Sequence, residues 1–240
     1  MEEITKHTHK IIRSILNPTN SLSKKLAEII LEILIITFAV SLSQFLERQR
    51  EQNQIEKEVK QFLLGLRKDM IEDRDQAKGN IAEYNNFKIS YLYLSKVKTN
   101  KNLNADSLNA YVELVKTSTK LIPNVSRFEG FKSSGKLEDI TDEPLLQNIL
   151  YYYEQALPSL SLSQTGWNNL EGRLSQYFLS NSIEYKNGTN NSYELLTKPF
   201  AENLTKELIP WPEIYERCNK VIDLGSAIVK EIDTDYPEDR

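Results

Sequence analysis

The chain has 240 residues, a net charge of −4 and a pI near 5.5. That is room for a membrane segment plus one domain, and too acidic a balance for a general nucleic-acid surface. A single cysteine, Cys218, excludes an internal disulfide framework and a cysteine-based zinc site, and the two histidines, His7 and His9, leave the main body without His-dependent catalysis.

Taken in chain order, residues 1–25 form a tail whose Ile4, Ile11, Ile12 and Ile15 share one face of a short amphipathic helix. Lys6, Lys10 and Arg13 take the polar side, and Asn17-Pro18 stops it. His7 and His9 are too few for a metal site, and no cofactor or metal is expected anywhere in the chain.

The next stretch, AEIILEILIITFAVSLSQF at 27–45, lies inside an apolar segment over 26–46. Its length is close to the ~20 residues that cross hydrocarbon. Glu28 and Glu32 stand one helical turn apart near its beginning, next to Lys24 and Lys25. Carboxylates there are tolerated near the interface, and they also offer a membrane face for a partner helix. Ala39-Val40-Ser41 loosely fits a cleavage site, but Glu2 and Glu3 are wrong for a signal peptide, so an uncleaved anchor is the expectation. Arg13, Lys10, Lys24 and Lys25 on one side balance Arg48, Arg50, Lys57 and Lys60 on the other. Because Lys24 and Lys25 abut the span, the N-terminus is placed in the cytoplasm and the main domain in the periplasm.

From residue 47 the text stays helical without a proline to about residue 98. Ile55, Val59, Phe62, Leu66, Met70, Ala77, Ile81, Tyr84 and Tyr91 step at helical spacing, interrupted only by Asp73 and Lys88. Asp69, Glu72, Asp73 and Asp75 make an acidic cluster expected to face solvent; a weak metal-dependent enzyme using it is one alternative. Asp106 is the expected N-cap of a second helix running to Pro123, burying Leu108, Tyr111 or Val112, Val115 and Ile122. A short helix then carries Phe128 and Phe131, and Gly135 fits the left-handed position after its end. Helix capping explains Ser134 and Gly135 better than a phosphate loop, which would need a further Gly and a preceding strand.

Thr141 is the expected N-cap of a long helix with a seven-residue repeat at Leu146, Ile149, Tyr153, Ala156, Leu160, Ser163, Trp167, Leu170, Leu174 and Tyr177. This is a coiled-coil-like seam, kinked at Pro158. Of Tyr151, Tyr152 and Tyr153 at least one must be exposed, while Trp167 and Trp211 read as core. A polar loop over 180–194 turns at Asn187-Gly188. Helical text at 198–208 follows, and Pro210 and Pro212 open a last helix whose buried face includes Ile214, Cys218, Val221, Gly225, Ile228 and Ile232. Residues 234–240 read as a disordered, solvated tail.

Two of these segments carry a family resemblance. KLAEIILEI from Lys25, then Gln44, Glu47 and Arg48, then LLGLRKDMIED at 63–73, resemble the start of an uncharacterised family of single-span membrane proteins from Bacteroidota-type bacteria. FKSSGKLEDITDEPLLQNILYYYE at 131–154 is similar to its later signature, with Ser133, Ser134 and Gly135 in register. Ala27 and Glu32 differ from the usual family start, which has Gly before the Glu and a longer uncharged run. The resemblance implies an anchor followed by a helical extracytoplasmic domain, and the family brings no assigned activity.

The expectation is therefore an all-α chain: a transmembrane helix over 26–46 continuing into a long helix of an antiparallel bundle over 47–233. Non-enzymatic partner binding or signal transmission at the bacterial inner membrane fits this, with Glu28 and Glu32 on the membrane face. A structural oligomeric spacer is the other alternative. Expected partners are the lipid bilayer and a membrane protein or further copies of the chain.

Overall fold

A computed structural model of the chain describes residues 22–100, 104–186 and 189–237. The amphipathic tail helix, the two histidines and the Asn187-Gly188 turn lie outside these residues. The described residues are helical, with no strand among them beyond one isolated antiparallel bridge between Glu184 and Asn190. The chain divides into two compact units, Met1–Glu58 and Val59–Arg240.

Helix α1 spans Leu22–Leu94. It contains no proline, and its first glycine is Gly65, so nothing in the sequence stops it. Within the first unit an 18-residue window has a mean hydropathy of 2.2 and no buried residue. The residues after it, Glu47 to Glu58, are polar on nearly every face, and Gln49–Asn53 and Gln54–Glu58 side-chain pairs one turn apart support the helix there. The α-helix ends at Leu94, four residues before the expected point, because i→i+3 bonds from Lys96 to Tyr93 and from Val97 to Leu94 tighten the following turns.

The second unit is built on the part of α1 from Val59 onward. Its buried stripe is Val59, Phe62, Leu66, Met70, Asp73, Ala77, Asn80, Tyr84, Phe87, Tyr91 and Leu94. Asn80 and Phe87 hold the places expected for Ile81 and left open at Lys88, and Asp73 sits on the stripe itself.

Helix α2, Ala105–Leu114, is capped by Asn104, whose side chain accepts from the Asp106 and Ser107 amides. Asp106, the expected cap, lies in the first turn, where a carboxylate still favours the helix dipole. α2 stops well short of Pro123. The Thr117 hydroxyl donates to the Leu114 carbonyl and competes with continued helix in a run of hydroxyl side chains, so residues 117–125 have no regular structure. Leu121 takes the buried place expected for Ile122, which is 75% exposed.

Helix α3, Ser126–Ser133, buries Phe128, and Phe131 stacks on Phe62 at 3.9 Å. A 3-10 turn over Lys136–Asp139 leads to α4, Glu143–Tyr151, whose N-cap is Asp142 and not Thr141. The Asp142 carboxylate accepts from the Leu145 amide. A π-helical segment, Tyr152–Ala156, joins α4 to α5, Leu157–Asn181. The Leu157 amide reaches back five residues to the Tyr152 carbonyl, and the unpaired nitrogen of Pro158 falls just beyond, so the proline is absorbed without breaking the helical path. The buried stripe runs from Leu145 through Ile149, Leu160, Trp167, Glu171 and Leu174 to Phe178, while Leu146, Leu170 and Tyr177 are only partly buried. Tyr153, Ala156 and Ser163 are buried as well, so the expected seven-residue repeat is kept from Ile149 to Trp167 and at Leu174, and the buried place shifts by one residue at Leu146, Leu170 and Tyr177.

Helices α6, Ser192–Leu196, and α7, Pro199–Glu207, lead to α8, Pro212–Asp235. α5 packs against α7 and α8, and α4 with the π segment packs against α8. α8 buries Ile214, Cys218, Val221, Gly225, Ile228, Val229 and Ile232, as its stripe predicts. Gly225 lets α8 lie close to the π segment: a Cβ on it would meet the Tyr152 ring at 3.3 Å, so the ring would have to give by a few tenths of an ångström. Thr234 and Asp235, read from sequence as tail, are still helical.

Candidate functional site

The residues that break the apolar logic of the second unit come together on one side of α1. Asp73, Gln76 and Asn80 are spaced three and four apart and share a face. Asp73 is fully buried. Its Oδ1 accepts from the Asn124 amide at 2.9 Å and from Asn124 Nδ2 at 3.0 Å, and its Oδ2 accepts from the Tyr152 hydroxyl at 3.4 Å. Gln76 Oε1 accepts from the Ile122 amide, and Asn80 Nδ2 donates to the Thr119 hydroxyl. From α5, Gln164 donates to Asn80 at 2.7 Å and accepts from the Leu121 amide at 3.0 Å, while Asn168 donates to the Thr119 carbonyl. The irregular segment 117–125 is thus held almost wholly by side chains of two helices. Buried backbone groups that a helix would satisfy internally are satisfied here by Asp73, Gln164 and Asn168.

Burial raises the Asp73 carboxyl above its ordinary range, and the Asn124 hydrogen bonds oppose that shift. Burial likewise pushes the Tyr152 and Tyr153 hydroxyls upward, with the nearby Asp73 charge adding to it, so both stay protonated and act as donors. Tyr153 donates to the Asn124 carbonyl.

Segment 117–125, Tyr153 of the π segment and the first two turns of α5 wall a groove of about 490 Å³, within the size range of small-molecule sites. Leu121, Ile122, Pro123, Val125, Tyr153, Leu157 and Pro158 give it an apolar lining, and Lys120, Ser161 and Gln164 supply its polar groups. π-helical turns recur at functional sites because the extra residue locally frees a helix from its regular ladder.

The acidic cluster read from sequence is dispersed. Asp69 pairs with Arg127 at 2.9 Å, Glu72 accepts from Asn124, and Asp75 meets Arg74 and Lys78 at the surface. Glu72 and Asp75 are exposed as expected, whereas Asp73 points the other way, into the core, which corrects the expectation for that residue. Among the described residues no group of three or more His, Cys, Asp or Glu is arranged to hold a metal ion. Cys218 is buried, and its thiol is pushed up to about 11 by burial, as an inert core thiol is.

Ser133, Ser134 and Gly135 end α3. The two hydroxyls donate to the Gly130 and Phe131 carbonyls, and Gly135 has φ +74°, the left-handed cap that an L side chain adopts only with strain. Glu28 and Glu32 lie on α1, Glu28 exposed and Glu32 half-buried, within the first unit. Of the three tyrosines in a row, Tyr151 is exposed while Tyr152 and Tyr153 are buried. Trp167 is fully buried, and Trp211 is half-buried near Gly166.

Asp73 was visible in the sequence as a break in the stripe. Asn124, Gln164 and Asn168 were not, because nothing in a loop asparagine or a mid-helix glutamine marks it as a buried partner. No protein-family profile, curated protein or solved structure matches the chain.

Proposed function

We propose that the chain is a single-span membrane protein of non-enzymatic type, whose helical bundle binds a partner or transmits a signal at the bacterial inner membrane. The observation that carries this reading is the apolar window of α1, of which no residue is buried. Leu26, Leu34, Phe38 and Phe45 are each about 60% exposed or more. Leaving such a surface in water costs about 25 cal/mol for every Å² of apolar area, and water-soluble proteins seldom carry a patch of that extent. A bilayer removes the cost and matches the length. Lys24 and Lys25 beside the span support a cytoplasmic N-terminus and a periplasmic bundle. Glu28 and Glu32, four apart on one face, are the residues through which the span would meet a partner helix.

Alkaline carbonate washing of cell envelopes tests the anchor. Full-length chain remaining in the pellet is the expected result; release into the supernatant, or a mature form beginning near Leu42, overturns it.

A further inference from the structure

The groove walled by segment 117–125, Tyr153 and the first two turns of α5 has a direction. Lys120 Nζ stands 3.5 Å from Thr165 Oγ1, the Leu121 amide meets Gln164, and the Asn124 carbonyl meets Tyr153. The loop therefore runs antiparallel to the helix beside it. Toward one end of the groove the polar lining is Lys120, Ser161 and Gln164. The other end gathers Pro123, Val125, Tyr153 and Leu157. Lys120 is exposed and lines the groove, and among the described residues its ammonium meets the neutral Thr165 hydroxyl, which leaves it further donors. The wall is also fixed in advance, since the amides of Leu121, Ile122 and Asn124 are each tied to a side chain of α1 or α5. Preorganisation of that kind lowers the cost of binding.

We infer that this groove is a binding site for a single-chain amphiphile carrying one carboxylate. Its apolar body lies along Ile122, Val125, Tyr153 and Leu157, and its carboxylate meets the Lys120 ammonium on the wall that also carries the Ser161 hydroxyl. One ammonium balances one negative charge, which selects a monoanionic head over a neutral or cationic one. This inference stands on the second unit alone and does not require the membrane reading.

The test uses the full-length chain in nanodiscs of neutral lipid and a dodecanoate probe with a photoreactive diazirine at the end of its chain, at pH 8. After illumination, adducts are mapped by peptide mass spectrometry. Adducts are expected at Ile122–Val125 and Tyr153–Leu157. Unlabelled dodecanoate should suppress them at a concentration at least ten-fold lower than dodecanol or dodecyltrimethylammonium. Lys120→Gln, a surface change, should weaken dodecanoate competition about ten-fold and leave dodecanol competition as it was, whereas Lys120→Arg should retain both. Ser161→Trp should remove the groove adducts; any adducts within 26–46 in the same sample serve as the reference for labelling. Adducts found only in 26–46, equal competition by all three head groups, or unchanged dodecanoate competition in Lys120→Gln would each overturn the inference.

Discussion

Asp73 shows how one residue can hold a wall of a site without touching what the site binds. Its carboxylate satisfies an amide, a side-chain amide and a phenol at once. Removing it leaves those buried donors unpaired, at about 1–3 kcal/mol for each that water cannot reach. Asp73→Ala should therefore lower the unfolding free energy by about 3 kcal/mol, read from the denaturant midpoint of Trp fluorescence. Asp73→Asn keeps an oxygen for Asn124 and should cost about 1 kcal/mol. Equal losses from the two variants would show that packing, and not these hydrogen bonds, is what the residue contributes. Glu171 is the contrasting case: it is only 7% exposed, and among the described residues neither its Oε1 nor the nearby Tyr91 hydroxyl has a hydrogen-bond partner. Burial lifts its carboxyl to about 7 from an ordinary 4.5. The folded state therefore holds its proton more tightly than the unfolded one. The contribution to stability is full below pH 4.5 and is lost as pH rises through about 7. Glu171→Gln should flatten the fall in stability between pH 5 and 8 by no more than about 3 kcal/mol; a wild-type profile already flat across that window would contradict the assignment.

At the scale of elements, the π segment sets the phase between α4 and α5. It carries Tyr152 to Asp73 and Tyr153 to Asn124 while α5 still presents Gln164 and Trp167 inward. An α-helix turns about 100° per residue. Deleting Gln155 would convert the segment to α-helix and rotate those tyrosines off their partners by that angle. The deletion variant should lose cooperative unfolding, whereas Pro158→Ala, exposed and outside the core, should shift stability by under about 1 kcal/mol. If the deletion leaves the unfolding midpoint in place, the π turn is not what sets the phase. The same element marks where sequence reading stops. Helical spacing announced α1, α5 and α8, and Gly135 announced its own cap, because those signals are local. The end of α2 at Leu114, the π turn and the cap at Asn104 depend on which hydrogen bond wins in three dimensions. The two acceptors that hold the Leu121 and Asn124 amides are far away in the chain. A break in an apolar stripe, as at Asp73, is the one sequence trace that such a long-range polar contact leaves.

For the whole molecule, the proposed topology rests on a narrow balance of charge. Four basic residues flank each side of the span within the reach of the positive-inside rule, and Lys24 and Lys25 tip the choice only through their closeness to it. A protein so balanced should be easy to turn over. Replacing Lys24 and Lys25 by Gln leaves two basic residues, Lys10 and Arg13, against Arg48, Arg50, Lys57 and Lys60. Part of the population should then insert with the second unit in the cytoplasm. Protease added to spheroplasts reads this directly: the region after Leu46 should be cut in the wild type and partly protected in the Lys24→Gln, Lys25→Gln chain. Replacing Arg48 and Arg50 by Gln should instead leave the region fully cut. Complete protection in the wild type would place the second unit in the cytoplasm from the start, and would leave the anchor standing while reversing its direction.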